Sequence, residues 1–174
     1  MTLPNDNTLH ASRRVLRALV VVNIAYGIAI AGLLVFSFLI EDRLFMALGV
    51  EPAADREAMI RGMRMVAFIG LLAVPLMHVI LQRLLNIVET VRAGDPFIVD
   101  NAHRLQTIAW TILGIQVLHL VIGFIATRTR SEVQQLDIDW NFSITPWIVV
   151  LLLFVLARVF EHGARMRADL EGTV

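Results

Sequence analysis

Residues 82–106 read QRLLNIVETVRAGDPFIVDNAHRLQ, and the fold turns on how this stretch is understood. It holds six charged residues and a Gly94-Asp95-Pro96-Phe97 turn, and it separates two apolar segments. Gly94 suits the position just past a helix C-terminus, where a left-handed backbone is wanted. Asp95-Pro96 reads as a turn or a fresh helix start, and Asp100 or Asn101 can cap the next helix. The stretch is therefore a polar hairpin between two helices.

Working outward, 57% of the 174 residues are hydrophobic and the mean hydropathy is +0.73. Soluble domains run at roughly 45–50% apolar, so the solvent that fits this chain is lipid. Fifteen basic residues balance fifteen acidic ones, which removes the electrostatic case for direct nucleic-acid binding. Every basic residue is Arg. There is no Cys, hence no disulfide framework or thiolate chemistry.

The hydropathy pattern predicts an all-α integral membrane protein, a single domain of four transmembrane helices in an up-down-up-down bundle. The spans are expected near 18–40, 62–84, 105–127 and 145–163, with outer loops at 41–61 and 128–144 and a hairpin at 83–104. A bilayer core of about 30 Å needs roughly 20 helical residues at about 1.5 Å rise. Ser12-Arg13-Arg14-Val15-Leu16-Arg17 superficially resembles a twin-arginine export signal, but 23 uncharged residues come next, Ala18 to Ile40, without a small-residue cleavage site. An uncleaved first span is the better reading. With both termini inside, the inner segments (1–17, 83–104, 158–174) carry nine Arg and the outer ones (41–64, 128–139) six. That bias, and the Arg13/Arg14/Arg17 cluster facing Glu41-Asp42 across the first span, favours N-in, C-in topology.

Helix 2 has no strong breaker between Pro52 and Gly94. It would run to about 38 residues, or roughly 57 Å, and its last turns would project beyond the membrane. Pro75 should kink it. In the second outer loop Leu136, Ile138, Trp140, Phe142 and Ile144 alternate with polar residues, the period of an extended strand. This segment either lies along the interface or pairs as an edge strand. Thr145-Pro146 then starts helix 4 as cap and first helical residue. That start leaves Arg158 inside the inner leaflet, where it either snorkels outward or meets a hairpin acid, Glu89, Asp95 or Asp100. Glu161 and Arg165 have the spacing of a surface pair on one helix.

Three groups of residues carry a family resemblance. They are Val91-Arg92-Ala93-Gly94-Asp95-Pro96-Phe97 with Asn101 and Arg104-Leu105, the run Leu156-Ala157-Arg158-Val159-Phe160-Glu161-His162-Gly163, and the ending Leu170-Glu171-Gly172-Thr173-Val174. In order and spacing they resemble the bacterial membrane-protein family of domain of unknown function 2975. The resemblance implies a four-span inner-membrane protein with no assigned activity. It also implies a gene neighbourhood shared with a small Cro-like helix-turn-helix regulator, and no catalytic residues to carry over.

The chemistry is sparse. His78 and His119 sit on antiparallel spans with an axial offset of about 11–12 Å, which excludes a shared metal ion at about 2 Å from each ring. Asn23, His78 and Thr111 fall at similar depth on helices 1, 2 and 3. They are either interhelical glue, beside the small residues Ala25, Gly27, Ala29 and Ala31, or the lining of a polar cavity. No nucleophile elbow, phosphate loop or metalloprotease motif is present, so neither enzyme activity nor a cofactor is expected. The leading expectation is a regulatory or interaction protein binding a cytoplasmic partner, such as that regulator, through 83–104 and 158–174. Gly94, Asp95, Pro96, Phe97, Asn101, Arg104 and Arg158 are its candidate residues, for docking or for structure. The alternative is a small transporter or sensor built on the Asn23/His78/Thr111 layer. A third is an accessory subunit docking other membrane helices. Homo-oligomers are left open.

Overall fold

The computed structural model describes residues 6–39, 56–128 and 143–171. They form four helices: α1 Asp6–Leu39, α2 Arg56–Arg92, α3 Val99–Arg128 and α4 Thr145–Glu171. There is no strand among them. The alternating segment 136–144 lies almost entirely outside the described residues, as does the first outer loop.

Apolar stretches long enough to cross a bilayer occur in three helices, within Thr8–Leu39, Arg64–Arg92 and Thr145–Leu170. Their large side chains point away from the protein: Ile28 is 69% exposed, Leu39 75% and Leu151 65%. Exposure on that scale is ruinous in water and ordinary in lipid.

Helices pack in chain order. α1 contacts α2, α2 contacts α3 and α3 contacts α4, and no other helix pair touches among the described residues. The arrangement is a row of antiparallel neighbours, without the α1–α4 contact that would close a ring. Inter-helix contacts give the register: Asn23 reaches Val74, Arg64 reaches Ser37, and Trp110 stacks edge-on against Phe154 at 5.2 Å.

The buried apolar side chains gather toward the hairpin end of α2, α3 and α4. Ile80, Leu81, Ala102, Leu105, Ile108, Ala109, Val150, Ala157 and Ala164 make up this core. Small residues at its centre, Ala109 and Ala157, let backbones approach closely where lipid supplies no hydrophobic drive between helices. On the α1–α2 side the same role falls to Gly27, where a Cβ would lie 2.8 Å from Val74 Cγ1. At the opposite end Arg64 donates to the Ser37 carbonyl at 2.6 Å and lies over the Phe38 ring, 4.0 Å from its centroid. It so satisfies one carbonyl that the last turn of α1 leaves open.

Two expectations about helix ends need correction, and α1 is longer than the span expected within it. α1 begins at Asp6, so the basic segment before Ala18 is helical and carries the helix about three turns beyond the expected span. Helix 4 starts one residue early: Ile148 N–H donates to the Ile144 carbonyl at 3.2 Å, which puts Ile144, in place of Thr145, at the cap. Helix 3 begins at Val99, with Asn101 N–H donating to Ile98 O at 3.0 Å. Asp100 and Asn101 thus lie inside the first turn, and the Asn101 side chain bonds back to Thr90 and Pro96 instead of capping its own helix.

Gly27→Ala should lower stability by about 1–3 kcal/mol, the cost of overpacking against a stiff β-branched neighbour. Val74→Ala in the same chain should recover part of the loss. Reversible unfolding in mixed micelles measures both.

Candidate functional site

The hairpin opens where α2 ends. Asp95 N–H donates to Thr90 O at 3.0 Å and Gly94 N–H to Val91 O at 3.1 Å, the paired closure of a Schellman motif. Gly94 has φ 88°, a left-handed conformation that a side chain would strain. The Gly94-Asp95-Pro96 reading of the sequence therefore holds in its local geometry.

Asn101 organises the rest of the hairpin. It is fully buried, the only polar side chain so placed among the described residues. Its amide nitrogen donates to Thr90 Oγ1 at 2.7 Å and to the Pro96 carbonyl at 2.8 Å. Its amide oxygen accepts from Arg104 at 2.7 Å. Thr90 in turn donates to the Ile87 carbonyl at 2.8 Å, and Arg104 reaches Asn86 O at 3.4 Å. Both amide hydrogens and one oxygen lone pair are used, so a buried polar group that would cost free energy unpaired is satisfied. One side chain ties the end of α2, the turn and the start of α3 together.

Around this clamp the other two helices converge. From α1, Arg13 and Arg17 share one oxygen of Glu89, at 3.1 and 3.8 Å, and His10 meets Arg92 at 3.4 Å. From α4, Arg167 pairs with Asp95. Phe97 stacks on Phe160 with ring centroids 5.1 Å apart, and a Cβ at Gly163 would stand 2.9 Å from Phe97 Cδ1. Gly163 is thus the gap that seats the Phe97 ring.

The structure brings Gly94, Asp95, Pro96, Phe97, Asn101 and Arg104 into one assembly. Arg158 stands apart. It bonds Glu161 on its own helix at 3.2 Å, with its side chain 79% exposed, and meets none of the three hairpin acids offered as the alternative to snorkelling. Glu89 and Asp95 are engaged by arginines closer to the helix ends. Glu161 also takes Arg165 at 2.6 Å, the expected surface pair. The intramembrane set is held separately. Asn23 donates to Val74 O at 3.1 Å, His78 Nε2 lies 3.5 Å from Gln82, and Thr111 donates to Thr107 O at 2.7 Å. Among the described residues no hydrogen bond joins two members of that layer.

Thr90 and Arg167 are site residues that the sequence reading does not single out, while Gly163 enters it only within a run that carries the resemblance and Glu89 only as a partner for Arg158. Thr90 is legible in principle, four residues before Gly94 and on the face that the hairpin folds against. Gly163 and Arg167 become visible only with α4 in register.

These features define a helical protein of membrane-spanning type, with one end closed by a polar, charge-latched hairpin. The family model described as "Protein of unknown function (DUF2975)" matches residues 16–174, and the chain belongs to that family. No curated protein and no solved structure matches the chain.

Asn101→Ala should orphan Arg104 and the Pro96 carbonyl and cost about 1–3 kcal/mol in unfolding experiments. Gly163→Ala should also destabilise, by displacing Phe97. The same substitution in a Phe97→Ala background should cost clearly less, a coupling that a double-mutant cycle reads directly.

Proposed function

We propose that this chain is a non-enzymatic inner-membrane interaction protein whose hairpin end docks a cytoplasmic partner. In this reading α3 supplies a fourth span, both termini face the cytoplasm, and the partner is a small helix-turn-helix regulator held at the membrane until a signal releases it. The observation that carries the reading is convergence: three separate elements, the α1 extension, the hairpin and the α4 tail, are latched into one surface. A rigid composite surface suits protein recognition, because little ordering cost remains at binding.

The same geometry divides the candidate residues by role. Asn101 and Arg104 point inward and hold the hairpin. The contact surface falls to exposed neighbours: Phe97 is 44% exposed, Val99 50% and Met166 54%. These apolar groups lie among Asp95, Arg165 and Arg167, the mixture of apolar centre and polar rim that interfaces favour.

Two measurements check this. The chain has no Cys, so single cysteines at Ala93 and Met166 report topology; in intact cells both should resist a membrane-impermeant maleimide and react after lysis. Labelling in intact cells would contradict the orientation. Co-purification of the full-length protein with a small helix-turn-helix regulator, of the kind the family resemblance implies in its gene neighbourhood, should fall about tenfold or more in a Val99→Glu/Met166→Glu variant that folds normally. Unchanged recovery would remove this surface from consideration.

A further inference from the structure

Two stripes face each other across the α1–α2 pair. His10, Arg13 and Arg17 recur on α1 at helical spacing, and Glu89 and Arg92 sit one turn apart on α2. Arg13 and Arg17 thus share a single carboxylate, and Arg92 stands against His10 beyond them. The donors outnumber the acceptors so far that Nε of Arg13 and Nε of Arg92 are buried with no hydrogen-bond partner among the described residues. The arginines are nonetheless reachable, the side chains of Arg13 and Arg17 being 32% and 56% exposed. Arg14 and Arg83 are exposed nearby and form no ion pair among the described residues, which leaves the surroundings more positive still.

The depth of the cluster identifies what it faces. The uncharged run of α1 starts at Ala18 and that of α2 ends at Gln82. The pairs Asn23–Val74 and Arg13–Glu89 place those two limits side by side. Arg17 therefore stands at the hydrocarbon boundary, and Arg13 lies about 7 Å beyond it. The headgroup layer occupies about 5–7 Å on each side of the core. We propose that the groove between α1 and α2 at Arg13 and Arg17 binds the phosphate of an anionic membrane lipid. Guanidinium is the side chain best matched to phosphate oxygens, offering paired donors in a fixed fork. Glu89 opposes the ligand, but one carboxylate against two arginines leaves the site net positive. The inference needs α1 and α2 to cross the bilayer; it does not need a cytoplasmic partner, so either reading can fail alone.

The test uses the full-length protein extracted from nanodiscs of phosphatidylcholine with and without phosphatidylglycerol. Native mass spectrometry reads the lipids retained. The expected result is selective retention of phosphatidylglycerol, reduced about fivefold for each of Arg13→Gln and Arg17→Gln, and kept in Arg158→Gln/Arg165→Gln. Glu89→Gln, which removes the opposing charge, should raise retention, whereas a purely structural role for Glu89 would lower it. Equal retention by the two single variants and the wild type overturns the proposal, as does a fall in Glu89→Gln. Inorganic phosphate alone serves as the second arm. Thermal stabilisation by phosphate that depends on the same arginines, without selective lipid retention, would assign the site to a soluble anion and overturn the lipid assignment.

Discussion

The hydrogen bonding of one buried amide governs this end of the molecule. Asn101 has no exposure, and its three partners come from α2, from the turn and from α3. A neutral side chain can do this without the desolvation cost that a buried carboxylate would incur. It also presents an oxygen to Arg104, which otherwise meets only the Asn86 carbonyl, at 3.4 Å. Remove the amide and the arginine, the Pro96 carbonyl and the Thr90 hydroxyl all lose a partner together.

Everything else at the hairpin end is layered on that clamp. The Schellman closure at Gly94 fixes the direction in which the chain leaves α2, and the clamp fixes where α3 starts. Phe97 is then presented to Phe160 and Gly163, and Asp95 to Arg167. Exposed ion pairs of this kind add little stability singly. Their effect here is positional: they set α1 and α4 against a turn that is already rigid. The row of helices, lacking an α1–α4 contact among the described residues, is therefore held most firmly where the chain turns.

Much of this is legible in the residues. The composition points to lipid, Gly94 announces the helix end, and the distance to it requires an over-long second helix, which is 37 residues. Helix ends read less well, since Asn at a helix start is ordinarily a cap. Only the tertiary partners Thr90 and Pro96 explain why Asn101 bonds backward across the turn. Likewise, the basic N-terminal segment reads only as a topology signal until Glu89 and Arg92 are seen opposite it. The partners of Arg158 depend on the register of α4, and register between membrane helices is set by packing that no single segment reveals.

A hairpin held in this way is a fixed element rather than a loop. Amide hydrogen exchange of the full-length protein in nanodiscs tests that most directly. The amides of Thr90 to Arg104 should be protected to a degree comparable with the buried segment of α3 around Ala109, and protection across the whole stretch should fall in Asn101→Ala. Exchange of this stretch at the rate of an unstructured peptide in the wild-type protein would contradict it.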